Sequence, residues 1–289
     1  MNEERNVVGS DMSLNAEPKY RKELNVGQLS ILELLYKYRF GSSKLSAGSL
    51  GIKNGSTLFE KLQTLADQNY IGKRFDGSYK LKGMPAAYFL LPKGLKALQK
   101  LPHYEAIDEH LIKYSYNDKT IISTTFITHT LNIYSVALHF QKIYTDIKFF
   151  TKREMAPYDY FPKLLPDSFV SIKLADSDTL QRFFLNIIPD TTSWRALDQL
   201  VSEYNDFFEE GGWDEMGPTL PTMLLVTESG AYERRVQRFV ARKQYSLDAD
   251  EPSYYTTTIK ALLGSQSPSD AIWSDTEDPE DLLSLLKQQ

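Results

Sequence analysis

The chain contains no cysteine. This excludes structural disulfides and thiolate metal centres and is compatible with a reducing compartment. No apolar stretch is long enough to cross a bilayer, and the opening MNEERNVVGSDMS lacks the hydrophobic core of a signal peptide. A soluble, cytoplasmic protein with no membrane partner is the expectation. Histidine is scarce, with 4 in 289 residues. On one continuous helix His129 and His139 would point about 80° apart and stand about 15 Å apart, so they make no joint metal site. A lone His129 is better read as a packed, hydrogen-bonded residue. Glycine-rich cradles are missing too. SLGIKNGS, residues 49–56, lacks both the Lys-Ser ending of a phosphate loop and the dinucleotide spacing, and TESG, residues 227–230, lacks the glycines of a nucleophile elbow around Ser229. No cofactor is expected.

What is present divides by charge. Residues 1–102 carry 16 Lys plus Arg against 9 Asp plus Glu, whereas residues 103–289 carry 17 against 29. The first segment suits a polyanion and the second, taken whole, repels one. With 42% hydrophobic residues the chain can bury two cores.

Residues 1–23 are polar with alternating charge and predict a flexible arm. Leu29, Ile31, Leu32, Leu35 and Tyr36 then recur at helical spacing over 26–38. A short second helix is expected over 43–50. A third, capped by Ser56 or Thr57 and reaching about Asn69, puts Leu58, Leu62 and Leu65 on one side. Asp76-Gly77 favours a tight hairpin turn between short basic strands, with Lys73 and Arg74 before it and Lys80 and Lys82 after it. Ala87 to Leu91 predicts a returning strand, and Pro92 opens a closing helix to about Leu101. Three helices, a hairpin and a final helix are the order of a winged helix-turn-helix module over 24–102. In such modules the third helix enters the major groove and the wing touches phosphates. The DNA-facing candidates are therefore Asn54, Ser56, Thr57, Lys61 and Thr64, with Lys73, Arg74, Lys80 and Lys82 in the wing. Glu60 and Asp67 would repel DNA if they faced the groove, and the same surface suits a protein partner.

After a connector near 102–109, a mixed α/β domain is expected over 110–243. Helices are predicted within 121–144, over 193–208 and over 231–243, and strands over 146–150, 168–174, 182–188 and 221–227. In the last helix Arg234, Arg238 and Arg242 line one face. That stripe suits DNA phosphate, or the acidic tail of the same chain, residues 244–289, which predict a flexible segment with a short helix near 282–286.

In their order, ILELLYKYRFGSSKLS, FEKLQTLADQNYIGKR, YFLLPKG, THTLNIYSVAL and LLPDSFVSI resemble the replication-relaxation family of plasmid and mobile-element proteins over residues 26–243. The resemblance implies a winged-helix domain, a role in replication, relaxation or transfer of mobile elements, and a second domain similar to restriction-endonuclease-like folds. On that resemblance His129 and Asn132 match the family's histidine-containing helix, and Pro166 and Asp167 its proline-aspartate step. Where the family carries an acidic pair, FFLNIIPD places Asn186 and Ile188. Where it carries a lysine before the helix tyrosine, ALDQLVSEYND offers Asp198, Gln199 and Tyr204.

A metal-dependent nuclease needs two or more carboxylates around Mg2+ and usually a lysine. Asp167 offers one carboxylate, Asn186 a neutral carbonyl and Ile188 nothing. Asp190 lies beyond the strand, and Lys173, six extended residues from Asp167, is about 20 Å away. The sequence thus predicts an α+β chain: a winged helix followed by a degenerate nuclease-like domain, with no catalytic residue and no metal. The expected partners are double-stranded DNA, a replication or relaxation protein, and a second copy meeting at the helix end near Tyr38 or through the second domain. A protein-interaction scaffold and a metal-dependent nuclease stand as the alternatives.

Overall fold

A computed structural model describes residues 23–81, 83–173, 180–249 and 251–286. Its first helix, α1 (Val26–Tyr38), opens on a reciprocal cap in which Asn25 Oδ1 accepts the Gln28 N–H at 3.0 Å and Gln28 Oε1 accepts the Asn25 N–H at 3.1 Å. Ile31, Leu32, Leu35 and Tyr38 form its buried stripe. Strand β1 (Phe40–Gly41), α2 (Ser43–Ser49) and α3 (Ser56–Asp67) follow. Helix α3 buries Leu58, Leu62 and Leu65 as its spacing predicts, but Gly55 occupies the cap position without a side-chain bond, so Ser56 and Thr57 lie in the first turn.

The expected hairpin at Asp76-Gly77 is not formed. Strands β2 (Ile71–Arg74) and β3 (Ala87–Leu90) pair antiparallel with Arg74 opposite Ala87, and residues 75–86 between them contain a short helix, α4 (Gly77–Leu81). The Asp76 carboxylate accepts the Ser78 N–H at 2.8 Å, the Ser78 hydroxyl at 2.6 Å and the Tyr79 N–H at 3.3 Å, an N-capping arrangement rather than a two-residue turn. Tyr79 thereby drops into an apolar cluster with Phe40, Phe89, Ile127 and Leu131. Lys80 sits on this helix, and Lys82 lies outside the described residues.

The three strands form a sheet in the order β1-β3-β2, closed by α5 (Pro92–Leu98). A Cβ on Gly94 would lie 2.3 Å from the Tyr70 carbonyl oxygen, so only glycine lets α5 cross the backbone this closely. Helix α6 (Glu109–Tyr114) buries Ile112, which with Ile107 joins the same core, so the connector region belongs to the first unit.

Helix α7 (Thr124–Ile143) joins the two parts of the chain. Its first half gives Ile127 and Leu131 to the Tyr79 cluster, while Tyr134, Val136, Ala137 and Phe140 pack on a larger sheet. Tyr38 stacks on Tyr134 with ring centroids 3.9 Å apart and is only 5% exposed, so the end of α1 is an internal contact and not an open dimer face.

The larger sheet has seven strands among the described residues. Strands β4 (Ile147–Thr151), β5 (Ser168–Lys173) and β6 (Leu180–Ile188) form an antiparallel meander, with the single turn α8 (Lys152–Met155) directly after β4. Then α9 (Trp194–Glu209) crosses to β7 (Thr222–Thr227), parallel to β6, and α10 (Gly230–Leu247) crosses to β8 (Tyr254–Thr258), parallel to β7. Side chains of β6 alternate: Phe183, Leu185 and Ile187 face the α7 layer, while Phe184 and Ile188 face α9 and α10.

Residues 254–283 are built into this sheet and are not a flexible tail. After β8, α11 (Ile259–Gly264), β9 (Trp273–Asp275) and β10 (Leu282–Leu283) complete it, the last replacing the helix expected near 282–286. Trp273 and Leu285 are buried in the core, and the acidic charge sits on exposed turn residues Glu277, Asp278, Glu280 and Asp281. YYTTT, aromatic and β-branched, has the composition of a strand, and the charge around it obscures that signal. Among the described residues no single helix is long and apolar enough to cross a membrane.

Candidate functional site

Pairing of β4 with β5 sets Thr151 opposite Ser168, and pairing of β5 with β6 sets Ser168 opposite Leu185. The residues just outside these pairs, Lys152, Asp167 and Asn186, therefore converge at one end of the sheet, and His129 reaches them from α7. Asp167 is 5% exposed. Its Oδ1 meets His129 Nε2 at 3.0 Å and Lys152 Nζ at 2.9 Å, and its Oδ2 accepts the Ile187 N–H at 2.9 Å. Asn186 Oδ1 accepts the Asp167 N–H and the Tyr204 hydroxyl, each at 3.3 Å. Burial raises the carboxyl pKa of Asp167, but the bond from His129 and the charge of Lys152 outweigh it and hold the group at about 2. Burial pushes the Tyr204 phenol well above its ordinary value, so it is a neutral donor to Asn186.

The node gathers His129, Asp167 and Asn186 as the sequence suggests. Asn132, half-buried on α7, does not bond to the carboxylate. Tyr204 is the second-helix residue that arrives, whereas Asp198 pairs with Lys243 at 2.9 Å. Lysine enters from an unforeseen place, Lys152, because strand pairing rather than sequence spacing brings it to Asp167. Lys173 ends β5 at the opposite end from Asp167. Asp190 accepts the Ser229 hydroxyl at 2.6 Å, and Ser229 caps α10. His139 bonds Ser265 Oγ at 2.9 Å and joins α7 to α11.

This set does not fit Mg2+. It holds one carboxylate, whose oxygens are already taken by an ammonium, an imidazole and a backbone N–H, and the Asn186 carbonyl is taken by two donors. Among the described residues no group of three or more His, Asp or Glu side chains could hold a metal ion.

Two cavities, of about 380 and 340 Å3, meet at His129, Lys152, Leu165 and Asp167. The larger is walled by Phe126 and Ile133 and rimmed by Lys37, Arg39 and Arg153, and the smaller runs past Asn186 to the start of α9. Lys37 pairs with Glu154 at 3.0 Å and Arg39 with Asp118 at 2.7 Å. Arg153 has no carboxylate partner among the described residues. It donates to the Tyr36 carbonyl and lies 4.4 Å over the Tyr36 ring.

The nucleic-acid candidates divide. On α3, Ser56, Thr57 and Thr64 are exposed, with Asn54 exposed just before the helix. The Lys61 ammonium folds back toward Gly27 at the start of α1. Lys73 and Lys80 are exposed on either side of Phe75, each 5.7 Å from its ring. Arg74 is not a free phosphate contact: its guanidinium donates to the carbonyls of Asp118 at 3.2 Å and Ile122 at 3.1 Å and ties β2 to the approach to α7.

Arg234, Arg238 and Arg242 form an exposed stripe on α10, and Arg235 lies 4.9 Å over Trp194. None of these forms a close ion pair with a carboxylate among the described residues, although the charge of Arg234 acts on Glu233. The C-terminal segment docks elsewhere on the helix, through Gln237 to Thr256 at 2.8 Å and Gln244 to Pro252 at 2.9 Å, so it does not cover the stripe.

Comparison with protein-family models and with curated proteins finds no match. Among solved structures, the chain is similar to restriction endonuclease FokI bound to DNA, at 12% identity and a TM-score of 0.27, and to the same enzyme in a separate structure, at 13% identity and 0.28. Each alignment covers 82% of this chain and 43% of the other, so the chain spans less than half the length of these structures.

Proposed function

We propose that the protein binds duplex DNA and does not cleave it, with the first unit acting as a winged helix-turn-helix module. The observation that carries this reading is the outward face of α3. Leu58, Leu62 and Leu65 anchor the helix, so Asn54, Ser56, Thr57 and Thr64 stand in solvent within the positively charged segment, which also exposes Lys73 and Lys80. Hydroxyl and amide side chains suit base edges and phosphates, and the lysines suit the backbone. The open arginine stripe of α10 supplies a second, sequence-independent contact.

The second unit reads as a restriction-endonuclease-like fold without the catalytic set: a helix, an antiparallel three-stranded meander, a crossover helix and a parallel strand around Asp167. The saturated carboxylate supports the absence of strand cleavage. Control of replication, relaxation or transfer of a plasmid or mobile element, with a replication or relaxation protein as partner, is proposed with it and rests on the sequence resemblance alone. Phe59, 47% exposed beside Glu60 on α3, favours a second reading in which the same face binds a protein.

The test is fluorescence anisotropy of a random-sequence duplex with the full chain across a salt series. Salt-sensitive binding that weakens when Lys73 and Lys80 become alanine supports DNA as the partner. No salt-sensitive binding at all transfers the α3 face to a protein partner. Strand cleavage dependent on Mg2+ and abolished by Asp167→Asn would overturn the non-catalytic reading.

A further inference from the structure

The cleft around Lys152 has the features of a ligand site rather than of a packing defect. Its larger cavity, about 380 Å3, falls within the roughly 300–1,000 Å3 of small-molecule sites. One wall is the Phe126 ring, 39% exposed, with the Arg39 guanidinium 4.9 Å from its centroid. At the rim, Arg153 donates to the Tyr36 carbonyl and forms no ion pair with a carboxylate among the described residues. Lys152 is 53% exposed and uses one of its three donors on Asp167.

Two groups behind the cleft walls lack hydrogen-bond partners. Asn186, 4% exposed, has a buried Nδ2 with no hydrogen-bond partner, and His129 has a buried Nδ1 in the same state. The carboxylates nearby do not cancel the site, because Glu154, Asp118 and Asp167 each already neutralise a cation and Arg153 remains in excess.

We propose that this cleft binds one nucleotide unit without a metal ion, its phosphate held between Lys152 and Arg153 and its base laid against Phe126. Arg153 supplies the net positive charge, and Lys152, already paired with Asp167, supplies its two remaining donors. The unit is either a free nucleoside monophosphate or the 5′-phosphorylated end of a single strand, since both present the same phosphate and base. This assignment stands apart from duplex binding by α3 and holds whether or not that binding occurs.

The experiment is calorimetric titration of the full chain, in EDTA, with dAMP, with a 5′-phosphorylated oligonucleotide and with the same oligonucleotide bearing a 5′-hydroxyl. Two variants accompany the native protein. Arg153→Gln removes the unpaired charge, and Ala156→Trp fills the cavity from its exposed rim while leaving every cation in place. Saturable binding of dAMP or of the phosphorylated strand, weakened about tenfold or more by both variants, is the expected result. Binding of dAMP identifies the free nucleotide as sufficient, and binding of the phosphorylated strand alone identifies a strand end. The proposal is overturned by no saturable binding of either, by equal binding of the 5′-hydroxyl strand, by a requirement for Mg2+, or by binding that Ala156→Trp leaves unchanged.

Discussion

Asp167→Asn removes one charge from a buried carboxylate that holds three partners, and its effect follows from the geometry. Burial alone would raise the pKa of Asp167, but the bond from His129 and the charge and bond of Lys152 hold it at about 2, against an ordinary 3.8. One pKa unit corresponds to about 1.4 kcal/mol, so the ionised group stabilises the fold by about 2 kcal/mol at neutral pH. Asparagine keeps the shape but puts a neutral amide against the Lys152 ammonium. Lys152 is 53% exposed and can turn to water, so the loss stays near about 2–3 kcal/mol rather than reaching the larger cost of orphaning a fully buried charge. The sign is set by a folded-state pKa below the unfolded one. The contribution is complete above about pH 4 and disappears as the pH falls through about 2. Urea denaturation of both proteins should therefore give a stability difference that shrinks as the pH falls below about 4. A difference under about 0.5 kcal/mol at pH 7, or one that fails to shrink below about pH 4, would refute the clamp.

Gly94→Ala forces a Cβ against the Tyr70 carbonyl at 2.3 Å, and should lower stability by about 1–3 kcal/mol, read as a lower thermal midpoint. Arg74→Met leaves the Asp118 and Ile122 carbonyls without their donor. It should cost about 1–3 kcal/mol in denaturation. Ending the chain after Ser253 removes β8 to β10 and uncovers the long edge of β7. The product should aggregate in size-exclusion chromatography, and a native-like monomer would show the acidic segment to be dispensable.

The long elements were legible because each carries one period over many residues. Helices α1, α3, α7, α9 and α10 and strands β4 to β7 lie within a few residues of their expected bounds, apart from the ends of α7 and α10. Three features were not legible, each for a separate physical reason. Asp76-Gly77 favours a turn locally, but the Asp76 carboxylate also caps a helix, and burial of Tyr79 decides between them. The acidic composition of residues 244–289 hides a strand whose own residues carry no charge. Lys152 is distant in sequence from the node it completes, and only the register of β4 on β5 places it there.

Basic residues that look alike in the sequence differ in what they already bond, and that difference decides how DNA contact should be measured. Arg74 has two carbonyl acceptors, Lys37 and Arg39 have carboxylates, and Lys61 lies toward α1, so none of these is free for phosphate. Lys73 and Lys80 are exposed on β2 and α4, and Arg234, Arg238 and Arg242 on α10. Each phosphate neutralised contributes about 0.9 to the slope of log affinity against log salt. Replacing both lysines by alanine should therefore reduce the slope by about 1.8, and replacing the three arginines by about 2.7, if both surfaces hold the same duplex. With the five replacements combined the two losses should add, because the substitutions remove separate contacts. If the arginine variant leaves the slope unchanged, duplex contact is confined to the first unit and the α10 stripe serves another anion.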